Sequence, residues 1–270
     1  MTESEIPVRI TYKEVGPPQD LENLVLSFWE MEVVSLPESP FQHRIVPDAS
    51  TSVVLARHAE GSDWKVHAVG PRTEAVIIPV HAGEWFSGVR FLPGIASQVF
   101  GLDASKQVGA LGPAMHLVPE FATALQRCLS PETDNRQAVG VVANTLREFA
   151  DPGPKVDMRV VDAFRHIRAK KGDLTVADLA SAVHIGERQV RRLFRQHVGL
   201  SPKQVIRLVR LRATAEDALD QKPGSWSRIA IDRGFSDQAH LTRDVRELTG
   251  LTPAGLDKSV RHIDHIELNG

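Results

Sequence analysis

The C-terminal part of the chain repeats itself. The segment LASAVHIGERQVRRLFRQHVGLSP, from Leu179 to Pro202, aligns with IAIDRGFSDQAHLTRDVRELTGLTP, from Ile229 to Pro253, with one extra residue in the second turn. Leu179-Ala180 lies over Ile229-Ala230, Ile185 over Phe235, Val190 over Leu241 and Arg192 over Arg243. Gly199-Leu200-Ser201-Pro202 lies over Gly250-Leu251-Thr252-Pro253. A repeat of this length is one supersecondary unit used twice, so both copies must fold the same way. Each holds a short apolar run, a turn, an amphipathic stretch and a Gly-x-Ser/Thr-Pro exit. Glycine just past a helix supplies left-handed backbone, and Ser or Thr before Pro caps and starts the next helix. The unit therefore reads as helix, tight turn, helix.

That order is the one in which a second helix enters a DNA major groove. With Val190 and Phe194 turned inward, the first such helix presents Arg188, Arg191, Arg192 and Arg195. With Leu241 and Val245 inward, the second presents Gln238, Ala239, Thr242 and Arg243. Arg matches the two acceptors of guanine, Gln the donor and acceptor of adenine, and Thr the thymine methyl. One basic helix alone is equally a solvated face. Two copies with the same turn and the same exit favour a reader of double-stranded DNA. The flanking sequence agrees: MRVVDAFRHIRAKK puts Val160, Val161, Phe164 and Ile167 on one helical face, and Thr175 with Asp178 offers a helix-starting capping box. A long helix follows from Pro202.

Charge separates the chain into unlike halves. The 270 residues carry a formal net charge of only -2. Yet Met1 to Pro154 holds 11 Lys and Arg against 19 Asp and Glu, whereas Lys155 to Arg261 holds 21 against 13. A basic half joined to an acidic one is expected where only one of them meets phosphate. The change falls at FADPGPKVDM, from Phe149 to Met158, whose Pro and Gly mark a linker. The sequence thus divides into a domain at 1–150, a linker at 151–157 and a DNA-binding domain at 158–260. No apolar run is long enough to span a membrane and the start is acidic, so no membrane partner and a cytoplasmic location are expected. Cys128 is the single cysteine; it excludes an intrachain disulfide and a Cys-rich zinc site, and is expected as a buried thiol.

At this point the residues resemble a known family. IAIDRGFSDQAHLTRDVRELTGLTPAGL is similar to the signature of AraC/XylS-type transcriptional regulators, and the match extends from Met158 to about Asp257. The resemblance implies seven helices in two helix-turn-helix subdomains joined by the long helix from Pro202. It also implies base contacts from Arg188, Arg191 and Arg192 in the first reading helix and from Gln238, Thr242 and Arg243 in the second. Gly234 and Phe235 would set the second turn and the core behind it. Val245, Leu256 and Asp257 depart from the pattern, at positions where an aromatic, a Tyr and a basic residue are common. Asp237 and Asp244 place negative charge near the second reader, which is expected to hold phosphate less firmly than the first.

The first half alternates short runs rich in Val, Ile and aromatics with Pro, Gly and Asp, as in RITYKEV, LVLSFWEMEVV, STSVVLA, WKVHAVG, AVIIPV and FSGVRFL. These read as strands of a barrel or sandwich, closed by helices over LVPEFATALQRCL and RQAVGVVANTLREFA. VPDASTSVVL and GVRFLPGIASQVFG resemble an N-terminal domain of little-characterised AraC-type regulators, which implies a cupin-like barrel with trailing helices. The fold class is α+β: a β-rich barrel, then an all-α domain. A pocket for a small-molecule effector would draw on Trp29, Trp85 and Phe91 as walls and on Arg90 to fork a carboxylate or phosphate; Arg90 equally suits a structural ion pair with Asp48 or Asp103. His43, His58, His67, His81 and Glu84 raise the question of metal, but no His-x-His pair occurs and HAGEW offers one His and one Glu. No metal site or cofactor is expected on that spacing.

With no phosphate-binding GxxxxGK[ST] and no GxSxG elbow, the reading is a regulator and not an enzyme. A metal-dependent cupin-type enzyme fused to a DNA-binding domain is the alternative. The helices at Val118–Cys128 and Arg136–Phe149 serve either a homodimer surface or as cover for the barrel, and RNA polymerase is a further possible partner. Arg191→Ala is expected to weaken DNA affinity in a gel-shift titration more than Thr242→Ala does; the reverse order would contradict the stronger grip assigned to the first helix.

Overall fold

A computed structural model describes residues 8–37, 39–58, 62–150, 156–220, 225–261 and 263–267. Seven strands come first: β1 (Arg9–Val15), β2 (Val25–Ser35), β3 (Phe41–Ile45), β4 (Ser52–Arg57), β5 (Lys65–Val69), β6 (Val76–Val80) and β7 (Trp85–Phe91). Short helices α1 (Ile95–Val99) and α2 (Ala104–Gln107), strand β8 (Leu111–Pro113), and helices α3 (Pro119–Cys128) and α4 (Asn135–Ala150) follow. Seven helices make up the rest: α5 (Met158–Ala169), α6 (Val176–Ala182), α7 (Glu187–His197), α8 (Pro202–Asp220), α9 (Trp226–Asp232), α10 (Gln238–Thr249) and α11 (Pro253–Arg261). A last strand, β9 (Ile263–Glu267), ends the described chain. Of the expected linker, residues 151–155 lie outside the described residues.

The large sheet has the order β8-β5-β4-β7-β2-β1-β9, antiparallel except where β9 runs parallel to β1. β3 and β6 pair with each other as a separate ribbon. The expected barrel is therefore corrected to an open sheet with a ribbon laid over it, because neither ribbon strand hydrogen-bonds to a sheet edge. Six strands fall where alternation placed them. β3, β8 and β9 were not legible: FQHRI carries three polar or charged residues, and LGP has only three residues with Gly and Pro among them.

Alternation along β7 sorts its side chains onto two faces. Trp85, Val89 and Phe91 join Val53, Leu55, Val66 and Ala68 in the main core. Phe86 and Trp29 turn the other way, into a smaller core with Ile10, Met31, Val33 and Val80 under the ribbon. The main core takes Phe121 and Leu125 of α3 and Val142 and Leu146 of α4, and then continues without a break through Val160, Phe164 and Ile167 of α5 to Phe194 and Leu241. The apolar stripes of α3 and α4 are thus buried within the chain as cover for the sheet. Cys128 corrects its expectation: as the last residue of α3 it is exposed.

The repeat is visible in the backbone. His184 (φ 55°) and Gly234 (φ 65°) both take left-handed conformations just before the anchors Ile185 and Phe235. The Ile185 N–H then donates to Ala180 O (3.1 Å) and the Phe235 N–H to Ala230 O (2.9 Å), closing both first helices in the same way. In the second copy a Cβ at residue 234 would crowd the Asp173 carboxylate, which would have to turn aside. Thr175 and Asp178 form the expected capping box.

Helices α7 and α10 both end against the N-terminal half. Ser97 Oγ donates to His197 O (2.7 Å) at the end of α7, and a Cβ on the following Gly199 (φ 80°) would collide with the Ala104 carbonyl of α2. At the end of α10, Arg44 Nη1 donates to Thr249 O (2.9 Å) and the Ala75 N–H donates to Leu248 O (2.9 Å). Gly199→Ala combines left-handed strain with this collision and is expected to lower unfolding free energy by about 1–3 kcal/mol. A urea midpoint equal to the parent's would show that α7 does not depend on its seat on α2.

Candidate nucleic-acid interface

Helix α7 buries Val190, Leu193 and Phe194, and this inward stripe leaves Arg188, Arg191, Arg192 and Arg195 exposed, as the spacing required. Arg191 differs from the other three. Its Nη2 donates to Glu187 Oε2 (2.6 Å) one turn earlier, so a phosphate or base must compete with a carboxylate for it. Arg188, Arg192 and Arg195 have no ion-pair partner among the described residues. They are the cations of this face that are ready to meet phosphate or guanine without first breaking a contact.

Helix α10 buries Leu241, Val245 and Leu248. Asp237 caps it, accepting from the His240 N–H (2.6 Å), and this backbone hydrogen bond holds the Asp237 carboxyl below its usual range. Gln238 and Arg243 are exposed. Two of the expected contacts are partly committed. Ser227 Oγ of α9 donates to Gln238 Oε1 (2.6 Å), leaving the amide NH₂ to act unless Ser227 lets go. Thr242 donates its hydroxyl to Gln238 O (2.9 Å), which leaves its methyl and lone pairs for a base.

Asp244 was expected to repel phosphate, and its position corrects this. It points away from the outer face toward α8, where Arg207 Nη2 donates to Asp244 Oδ1 (2.7 Å) and to Glu247 Oε2 (2.9 Å). The side chain of Asp244 is only 13% exposed and its charge is neutralised in place. The pair fixes α10 against the long helix α8. Val245 and Leu256, the departures from the family pattern, are both fully buried, and Asp257 is paired with Arg261 at 2.6 Å.

The four residues expected around an effector pocket are not gathered at one cavity. Phe91 is fully buried against Phe100, and Trp85 stands edge-on to Trp64 in the same core. Trp29 occupies the opposite face, its indole lying where any side chain on Gly88 would be. Arg90 realises the structural alternative: Nη1 donates to Glu14 Oε1 (2.7 Å) and Nε faces Asp48 Oδ2 at 3.0 Å. Glu14 in turn accepts from Ser27 (2.5 Å), Tyr12 (2.9 Å) and Arg212 of α8 (2.8 Å). Burial alone raises the Glu14 carboxyl, but Arg90 and Arg212 outweigh it and hold it well below the usual carboxylate range. Charge on Glu14 therefore ties the sheet to the DNA-binding half at neutral pH, and this contribution to stability is lost progressively as pH falls from the usual carboxylate range to well below it.

Trp85 also borders an open, polar cavity of about 390 Å³ shared with Glu32, Arg57, Gly83, Asp134, Asn135 and Arg136. Among the histidines the fold changes the expectation from spacing: His58 lies beside His81 and Glu84, their ligating atoms all within 4.8 Å of one another. Local sequence could not reveal this, because His58 belongs to a different turn.

Comparison with known proteins agrees with the two halves. Residues 179–259 match the model of a helix-turn-helix domain, and residues 13–110 match a domain of unknown function, DUF6597. The regulatory protein HrpB of Ralstonia nicotianae is 31% identical over 158 residues, covering 56% of this chain and 33% of that protein. A probable transcriptional regulator, LumQ of Photobacterium leiognathi, is 27% identical over 101 residues, covering 37% of this chain and 39% of its own. The chain thus spans about a third of the length of the curated relatives it matches. Among solved structures, an AraC-type regulator from Chromobacterium violaceum is 27% identical with a TM-score of 0.34, covering 37% of this chain and 89% of that one. ToxT from Vibrio cholerae is 7% identical with a TM-score of 0.44, covering 94% and 98%.

Arg207→Ala leaves Asp244 partly buried without its cation, and is expected to cost about 1–3 kcal/mol of stability and to weaken DNA binding although Arg207 does not face the groove. Adding Asp244→Asn should restore much of both, as read by thermal melting and gel shift.

Proposed function

We propose that the chain is a transcriptional regulator of the AraC type that reads double-stranded DNA with α7 and α10, which lie within the helix-turn-helix match at residues 179–259. The observation that carries this reading is the repeated unit itself. Two helices with the same turn and the same exit present Arg188, Arg192 and Arg195 on one and Gln238 and Arg243 on the other. Arg-rich α7 supplies most of the phosphate attraction. The more polar α10 refines the choice of sequence.

The β-rich half is proposed to set the state of this reader in response to a small molecule or a protein partner. Its contacts support that role, because it touches the end of each reading helix and, through Glu14 and Arg212, the helix that joins them. An effector acts only through unequal affinity for two arrangements, and a shift of the sheet against α8 changes the helix ends that it holds. A homodimer binding two half-sites, contact with RNA polymerase and a cytoplasmic location complete the proposal.

Selection of bound fragments from random duplex DNA, followed by gel shift on the recovered sequence, tests the reading. The parent should recover one recurring motif. Arg192→Ala should cost about 1–3 kcal/mol, or roughly tenfold to a hundredfold in affinity, and relax the preference at one position. Recovery of no recurring motif, or full affinity in an Arg188→Ala, Arg192→Ala, Arg195→Ala triple variant, would refute it.

A further inference from the structure

Two turns of the β-rich half meet at His58, His81 and Glu84. His58 follows directly on β4, while His81 and Glu84 bound the turn between β6 and β7. Gly83 (φ 85°) lets that turn close, and its N–H donates to Val33 O (2.8 Å) while the Val33 N–H donates to Glu84 O (2.9 Å). The turn is thereby pinned to β2. Its carboxylate is pinned as well, since Glu84 Oε2 accepts from the His81 N–H (2.8 Å). The other oxygen, Oε1, lies 3.1 Å from His58 Nε2 and 3.5 Å from His81 Nδ1. His81 Nδ1 is buried and makes no hydrogen bond. A cation already at hand does not fill the gap, because Arg57 turns away to lie 4.6 Å over the Trp64 ring.

We propose that His58 Nε2, His81 Nδ1 and Glu84 Oε1 form a binding site for a divalent transition-metal ion of the zinc class, with water completing its coordination. Zinc bound at 2.0–2.1 Å in a tetrahedron sets its ligand atoms roughly 3.3 Å apart, close to the two spacings to Oε1 seen here. Two imidazoles and one carboxylate suit zinc, nickel or cobalt, whereas calcium and magnesium need more oxygen ligands. The backbone hydrogen bond to Oε2 orients the carboxylate as an outer partner does in metal sites. The ion would staple the end of β4 to the turn after β6. At its other end, β6 follows Ala75, whose N–H holds the end of α10.

The test is titration of zinc chloride into the full-length, chelator-treated protein by calorimetry, with cobalt(II) absorption as a second readout. One ion per chain is expected, with the absorption of a four-coordinate centre and a rise in melting temperature. Magnesium should give no heat. Glu84→Gln should weaken zinc binding by about a hundredfold, and the His58→Ala, His81→Ala double variant should abolish it, while exposed His116→Ala leaves it unchanged. Both His58 and His81 are about half exposed, so circular dichroism should report a folded double variant. No zinc binding by the folded parent, or an unchanged stoichiometry in the folded double variant, would overturn the proposal.

Discussion

The joining of the two halves depends on one continuous apolar core. It starts on one face of an open sheet, passes under α3 and α4, and runs into both helix-turn-helix units. Burial of apolar surface has no preferred direction, so it draws the two halves together without saying how they should be oriented. Orientation comes from close approach of backbone to backbone between the halves, above all at Gly199, where an added Cβ would meet the Ala104 carbonyl. Gly199 lies at the exit of the first copy of the repeated unit. The elements that let each helix pair form also seat it on its neighbours.

Polar groups do the rest of the alignment. Glu14 is shared between Arg90 of the sheet and Arg212 of the long helix, and Arg207 is shared between two carboxylates of α10. Ion pairs out of water repay their desolvation only with several good partners, and both clusters have them. Their value lies in geometry: each admits a narrow set of positions for α8 against the sheet or for α10 against α8. The outward face of α7 is left to solvent, with three of its four arginines free of carboxylates among the described residues.

Much of this was legible beforehand where the signal is local. The periodicity of MRVVDAFRHIRAKK, the Thr175 cap, the glycine exits and the alternation of six strands all became the elements they suggested. What escaped has physical reasons. The barrel failed to close because strand pairing is decided by hydrogen bonds between segments far apart, about which alternation within a segment is silent. β9 joins β1 across nearly the whole chain. Arg90 looked like a ligand anchor because an Arg between apolar residues must face something; the two candidates from sequence included its actual partner Asp48, but Glu14 is a third. Trp85 and Phe91 alternate with Arg90, which by itself puts them on the opposite face.

The sequence by itself determined that the chain contains two helix-turn-helix units, where their turns fall and which side chains their second helices turn outward. A helix of period 3.6 with fixed inward anchors leaves no other choice. Tertiary structure alone decided which of those outward groups are unencumbered, that Asp244 points inward, that Arg90 belongs to a bridge, and that His58 stands beside His81 and Glu84. Those facts depend on contacts between segments that share no local pattern, and only packing brings such segments within reach of one another.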